Sequence, residues 1–208
     1  MFAGAALGLL VGATHCATHK STTVAPATPS ESPPARPPKA ARTEPPFHPI
    51  SLTDEQLARA CKVQPLVARA SAAENLEPNL VNAIVWLESK FDPKASNKSG
   101  AKGLMQLMPT TSKAMAAALQ RKNRPFDPEF NIHAGAHLLR VLLDKFDGDE
   151  KLALFGYARG SGRVRAWQKT REPMPAGVRE FIAKVERGRK TFARLGFPDA
   201  APRVCQKT

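Results

Sequence analysis

Pro78-Asn79-Leu80-Val81-Asn82-Ala83-Ile84-Val85-Trp86-Leu87-Glu88-Ser89-Lys90-Phe91-Asp92-Pro93 is the stretch on which the fold turns. Pro78 suits the first turn of a helix, and Asp92-Pro93 ends it, because the residue before a proline is pushed out of the helical region. Val81, Ile84 and Val85 precede Glu88 by seven, four and three residues, so all four share one helix face. An ordinary surface glutamate would sit on the opposite side. On an apolar face a carboxylate is costly when ionised and unpaired, and desolvation favours its protonated form. The pattern equally admits a helix-end glutamate that reaches solvent, and periodicity alone leaves both readings open.

Outward from this helix, apolar residues keep helical spacing. Thr53 and Asp54 can cap a helix from Glu55 with Leu57, Ala60 and Cys61 inward. Pro65 is expected to open a second helix through Ala73. A polar loop with glycines is expected from Lys94 to Gly103. Thr110 or Thr111 then caps an Ala-rich helix to about Leu119, and Pro125 to Pro128 make a turn. Another helix is expected near Asn131, with Ile132, Ala136, Leu139 and Leu143 on one side. Leu152 to Tyr157 form a short apolar helix that Gly160 and Gly162 break. The last helix covers about Val178 to Leu195, with Phe181, Ile182, Val185 and Phe192 buried. No stretch alternates with period two and no repeat is visible, so an all-α domain is expected over 51–208.

Ahead of it the composition changes. Nine of the 19 prolines fall between Pro26 and Pro49. Such a segment buries too little apolar surface to offset its ordering entropy, so 17–50 reads as an extended spacer. Phe2 to Ala13 is apolar and shorter than the ~20 residues a membrane-spanning helix needs. Residues 1–16 therefore read as an export signal, and Cys16 just after the apolar run raises a lipid tether as one option. His15 stands where a lipoprotein signal has a small side chain, so simple export is the plainer expectation. In an oxidising compartment Cys61 and Cys205 could pair, or remain two free thiols.

The formal charge of +13, from 31 basic and 18 acidic residues, favours polyanionic partners such as anionic lipid or a cell wall. No RNA-binding aromatic motif, zinc finger or DNA-reading helix accompanies it, and no nucleic-acid partner is expected. His133 and His137 have the spacing of a two-histidine metal site, but they lack the intervening glutamate and a third ligand, so no metal and no cofactor is expected. Cys61 has no neighbouring histidine to make it a nucleophile. Arg159-Gly160-Ser161-Gly162-Arg163 follows a helix and lacks the Gly-Lys ending of a phosphate loop. Glu88 remains, as a carboxyl able to keep its proton for a glycosidic oxygen.

Five blocks in order bear on it: Glu88-Ser89-x-Phe91-Asp92-Pro93; Gly100-Ala101-x-Gly103-Leu104-Met105-Gln106-Leu107-Met108-Pro109; Asp127-Pro128-Glu129-x-Asn131-Ile132-x-Ala134-Gly135; Tyr157-Ala158-Arg159-Gly160-Ser161-Gly162-x-Val164; and Pro175 with Phe181 and Val185. Over about Asn75 to Arg187 the chain resembles the catalytic domain of soluble lytic transglycosylases, whose fold is similar to goose-type lysozyme. The resemblance implies a lysozyme-like helical domain with a substrate cleft, acting on peptidoglycan strands. It implies that Glu88 protonates the bond between N-acetylmuramic acid and N-acetylglucosamine, then serves as base on the muramyl 6-hydroxyl, giving a 1,6-anhydro product. Tyr157 would contact that acid. Gln106 and the Met108 region would line the cleft wall, with Ser89, Asn97, Gly103, Leu104, Met105 and Arg159 as further substrate contacts. Asn131, Ile132 and Gly135 are expected to pack rather than bind.

The family's Tyr-Asn-Ala-Gly is Tyr157-Ala158-Arg159-Gly160 here, which removes an amide from the cleft and adds a cation. Arg159 is placed to meet a lactyl or peptide carboxylate of the substrate. Two rival readings keep the fold: a hydrolytic muramidase, and a non-catalytic wall-binding module of a secretion or envelope assembly. A periplasmic or envelope location follows from export.

Overall fold

In the computed structural model, which describes residues 47–197 and 203–206, Thr53 and Gln56 cap each other reciprocally and start α1 (Asp54–Ala73). The Thr53 hydroxyl accepts from the Gln56 amide at 3.2 Å, and the Gln56 side chain accepts from the Thr53 amide at 3.3 Å. Pro65 was expected to begin a new helix, yet α1 runs through it. Its ring lies on the exposed side, while Ala60, Val63, Gln64, Val67 and Ala70 carry the buried stripe straight across. Burial of that stripe outweighs the one backbone hydrogen bond a mid-helix proline removes.

The next helix, α2 (Pro78–Ser89), is the core of the domain, for every residue from Asn79 to Val85 is buried. It packs against α1 on one flank and α7 (Ala176–Arg194) on another. The approach to α7 is close. A Cβ on Gly188 would lie 3.0 Å from that of Ala83, so glycine sets the helix separation there. Two asparagines inside α2 are satisfied by amides alone. Asn82 and Gln64 of α1 exchange hydrogen bonds at 3.0 and 3.1 Å, and Asn79 donates to the Phe197 carbonyl at 2.8 Å. No charge is buried by this ladder, and its geometry ties three segments together.

Three helices follow on the other side: α3 (Pro109–Ala118), α4 (Pro128–Lys145) and α5 (Glu150–Arg159). The polypeptide then turns at Gly160, φ +85°, into α6 (Ser161–Gln168). That short helix was not foreseen. Gly162 was read as a second breaker, but only Gly160 needs the left-handed half of φ space. Likewise, α3 opens at Pro109 rather than after Thr110 or Thr111, and α4 opens at Pro128 with Asp127 as its cap, 2.7 Å from the Phe130 amide. Proline at the first helical position forfeits a donor that would be orphaned anyway, so it extends both helices backwards. In α7 the buried positions are Val178, Val185, Gly188, Thr191 and Phe192, whereas Phe181 and Ile182 are half-buried. Among the described residues there are seven α-helices, one short 3-10 turn (Arg203–Gln206) and no strand.

Residues 1–16, Cys16 included, and most of the 17–50 spacer lie outside the described residues. The folded unit begins slightly before Ser51. The Ile50 amide donates to the Thr191 hydroxyl at 3.1 Å, and the Phe47 ring lies 4.0 Å from the Arg194 guanidinium. At the far end Cys61 and Cys205 form a disulfide across 144 residues of sequence. Closing so long a loop removes much chain entropy from the unfolded state. Cys205→Ser is expected to lower unfolding stability by about 2–4 kcal/mol in urea titrations. Wild-type protein under reductant should lose as much; equal midpoints with and without reductant would show the bridge to be energetically idle.

Candidate active site

Immediately after Glu88 the backbone is forced into an unusual turn. Lys90 and Phe91 are consecutive non-glycine residues with φ of +54° and +61°. Such residues rarely enter the left-handed region, and they stay there only when packing holds them. Phe91 supplies that packing, since it is fully buried with its ring edge-on to Phe192 at 5.6 Å. Helix α2 therefore stops abruptly, and Glu88 occupies its final turn in a half-buried setting. Burial pushes its carboxyl up to about 7, and the Lys90 ammonium pulls weakly the other way. No neighbouring carboxylate contributes to the shift. Lys90 folds back over α2, donating to the Trp86 carbonyl at 3.0 Å with its ammonium 3.6 Å from the centre of the indole ring.

The loop between α2 and α3 is built on backbone bonds. Two isolated bridges, Ser96 with Lys102 and Lys102 with Leu107, fold it on itself. Asn97 accepts from the amides of Ser99 (2.9 Å) and Ala101 (3.1 Å), and Gln106 donates to the carbonyls of Ala95 (3.1 Å) and Gly103 (2.9 Å). Gly103 has φ +78°, and a Cβ there would fall 2.2 Å from the Pro125 carbonyl oxygen. Behind the loop stands Asn131 of α4, fully buried. Its oxygen accepts from the Met105 amide at 2.7 Å; its nitrogen donates to the carbonyls of Lys102 (3.0 Å) and Pro125 (2.8 Å).

These bonds and the burial around them set where the expected substrate contacts lie. Leu104 and Met105 were expected to line the cleft, but both side chains are completely buried, and Met105 fills the space above Gly135. The Ser89 hydroxyl donates back to the Val85 carbonyl at 3.0 Å and is itself buried. Asn97 spends its side-chain oxygen and Gln106 its side-chain nitrogen on the loop, which leaves the Asn97 Nδ2 donor and the Gln106 Oε1 acceptor for a ligand. Asn131, expected only to pack, is the polar pin of the whole segment; the Asp-Pro-Glu-x-Asn block carried that signal. Met108 remains open, with 42% of its surface exposed.

Tyr157 of α5 closes the arrangement from the opposite side. Its hydroxyl was expected to touch the acid; it donates instead to the Met105 carbonyl at 2.7 Å. The phenol is held well above its usual range, first by burial and then by the charge of Glu88, so it stays a neutral donor. Thus Tyr157 feels Glu88 while anchoring the loop. Beside it lies a cavity of about 700 Å³, lined by Met108, Thr111, Leu142, Tyr157, Ala158 and Arg159. His133 and His137 lie apart from this site, and the His137 Nδ1 is 3.0 Å from a Glu74 carboxylate oxygen. No group of three metal-ligating side chains occurs among the described residues.

The geometry can be set beside known proteins. A transglycosylase of Enterobacteria phage PRD1 is 40% identical over 105 residues, covering 50% of this chain and 37% of the relative. Membrane-bound lytic murein transglycosylase F of Desulfosudis oleivorans is 34% identical over 151 residues, covering 62% and 32%. The endo-type membrane-bound lytic murein transglycosylase A of Klebsiella pneumoniae is 36% identical over 106 residues, covering 48% and 50%. The chain thus spans half or less of the length of these curated relatives. Among solved structures, an inactive glutamate-to-glutamine mutant of lytic transglycosylase Slt from Pseudomonas aeruginosa superposes with a TM-score of 0.58 at 26% identity, over 65% of this chain and 25% of that one. The profile of the transglycosylase SLT domain matches residues 65–175, more than half of the chain and all of the loop, acid and tyrosine described above. This chain belongs to the transglycosylase SLT domain family.

Proposed function

We propose that the domain is a peptidoglycan lytic transglycosylase in which Glu88 is the single acid and base. The observation that carries this reading is the half-buried Glu88 carboxyl, held at about 7 by desolvation with no second carboxylate contributing. Its O–H donates to the oxygen joining N-acetylmuramic acid to N-acetylglucosamine, the C1–O bond breaks, and the N-acetylglucosamine 4-hydroxyl leaves. The resulting carboxylate takes the proton of the muramyl 6-hydroxyl as that oxygen bonds to C1. The product is a 1,6-anhydro sugar, Glu88 is again protonated, and no water is consumed. Ordinary glycosidases need a second carboxylate to act as nucleophile or to activate water. An attacking oxygen supplied by the substrate removes that need.

Tyr157 has a positioning part in this scheme: it holds the Met105 carbonyl and so anchors the loop that follows the Glu88 helix. Membership of the family supports the reaction class, as do the names of the murein transglycosylase relatives and the inactivity of the Pseudomonas glutamate-to-glutamine mutant. An envelope location is part of the proposal. It is supported by the membrane-bound relatives, by the disulfide, which suits an oxidising compartment, and by a net charge of +13, which suits an anionic wall.

Digestion of purified sacculi followed by mass spectrometry tests the reading. Muropeptides lighter by one water than their hydrolytic counterparts are expected. Products of full hydrolytic mass would replace the transglycosylase with a muramidase. Binding to sacculi without soluble fragments would leave only a wall-binding module.

A further inference from the structure

A second cavity, about 520 Å³, opens beside the cleft between α5, α6, the 169–175 turn and the start of α7. Arg159 and Arg163 line both spaces. The lining includes Phe155 and Trp167, whose ring centres are 5.6 Å apart. Its rim is built rather than loose, since the Trp167 indole N–H donates to the Glu172 carbonyl at 3.1 Å and the Thr170 hydroxyl to the Trp167 carbonyl at 2.7 Å. The Arg159 guanidinium reaches the beginning of α7, within 3.3 Å of where a Cβ on Gly177 would stand.

Neither guanidinium has an ion pair or hydrogen bond among the described residues. Arg189, by contrast, engages Glu77, Glu150 and Glu186. Two unpaired, fork-shaped cations that share a cavity with two aromatic rings suit a carboxylate whose backbone or aliphatic part rests on those rings. Glu172, the one acidic side chain lining the cavity, suits an ammonium on the same ligand. A glycan strand has no such groups along its sugar backbone, but the short peptide attached to muramic acid does. It carries free carboxylates and leaves the strand through the lactyl group, sideways from a glycan lying in the cleft.

We infer that this cavity is a pocket for the carboxylate-bearing stem peptide of the substrate, with Arg159 and Arg163 as its anion-binding pair. The assignment rests on the transglycosylase reading for its choice of ligand, and it makes Arg159 a specificity residue of this chain, since the family motif has alanine there. Peptide-bearing strands are then preferred over bare ones.

The test uses the full chain and, as probe, free stem tetrapeptide released from sacculi by an amidase, titrated calorimetrically alongside the digestion assay. Wild-type protein should bind the peptide, more weakly as salt rises, and should not bind the same peptide with its carboxylates amidated. Arg159→Ala and Arg163→Ala should each weaken binding about tenfold, the loss expected of one charge-assisted contact, with unchanged melting temperatures. Arg159→Ala should also lower the ratio of kcat/KM on peptide-bearing strands to that on peptide-free strands by a similar factor. No binding by wild type up to about 10 mM, or undiminished binding by both variants, overturns the pocket. Cleavage with no peptide binding strikes the pocket alone, whereas peptide binding without cleavage strikes the reaction and leaves the pocket standing.

Discussion

Glu88→Gln is expected to cut product release roughly a thousandfold or more, since one group supplies both the proton and its recovery and each such role is worth about 10²–10⁴. Glutamine keeps the shape and can still donate a weak hydrogen bond, but it has no proton to transfer. The wild-type pH profile should follow the same group. Activity requires the protonated carboxyl, so kcat/KM should fall as pH rises through about 7. No matching low-pH limb from an ionised partner is expected, because the base in the second half-reaction is the carboxylate that the first half-reaction creates. A bell with an acidic limb near the ordinary carboxylate range would point to a second carboxylate and against the single-acid scheme.

The same substitution should stabilise the fold, and the direction depends on pH. Glu88 holds its proton up to about 7 in the folded chain, against an ordinary 4.5. Below about 4.5 folded and unfolded chains are both protonated, and burial carries no ionic penalty. Between the two values the unfolded chain binds fewer protons than the folded one, so stability drops as pH rises. Above about 7 the whole penalty is present, about 3 kcal/mol for a shift of this size. Glu88→Gln should therefore melt higher than wild type at pH 8 and equally at pH 4. Identical melting curves at pH 8 would mean that the apolar surroundings do not hold the proton.

Glu88 was visible in the sequence because its stripe is local: Val81, Ile84 and Val85 lie within two turns of it, and period 3.6 exposes the conflict. The helices were legible for the same reason. Pro65 misled because its exposed position inside a continuing stripe is decided by what α1 packs against. Gly160 and Gly162 look alike in sequence, yet only the first has to adopt positive φ. Site roles were harder. Leu104 and Met105 stand in a conspicuous run, but whether such a run touches ligand or builds the wall depends on a partner 26 residues away, Asn131. The Tyr157 hydroxyl reaches across 52 residues to a backbone oxygen, and no side-chain pattern announces a backbone acceptor.

That distant partner makes the strongest structural prediction. Asn131→Ala removes one acceptor and two donations at once, leaving the Met105 amide and the Pro125 carbonyl unmatched, while the Lys102 carbonyl keeps the Leu107 amide. An unsatisfied buried group costs about 1–3 kcal/mol, so two of them predict a loss of about 2–6 kcal/mol in chemical denaturation. The space around Gly103 admits no easy repair, since that glycine lies against Asn131 and the Pro125 carbonyl. Below its melting point the variant should still lose activity. Met105 also accepts the Tyr157 hydrogen bond, so a shifted loop moves Tyr157, whose phenol feels Glu88, and misplacement by about 1 Å can cost on the order of 10²-fold. Asn131→Asp tests the two donations. It keeps an acceptor for the Met105 amide, loses both donations and, when ionised, sets a buried carboxylate against two carbonyl oxygens, so at neutral pH it should be at least as destabilised as alanine. If Asn131→Ala unfolds within about 1 kcal/mol of wild type, water or a loop rearrangement satisfies these groups, and the asparagine is not the pin that the geometry describes.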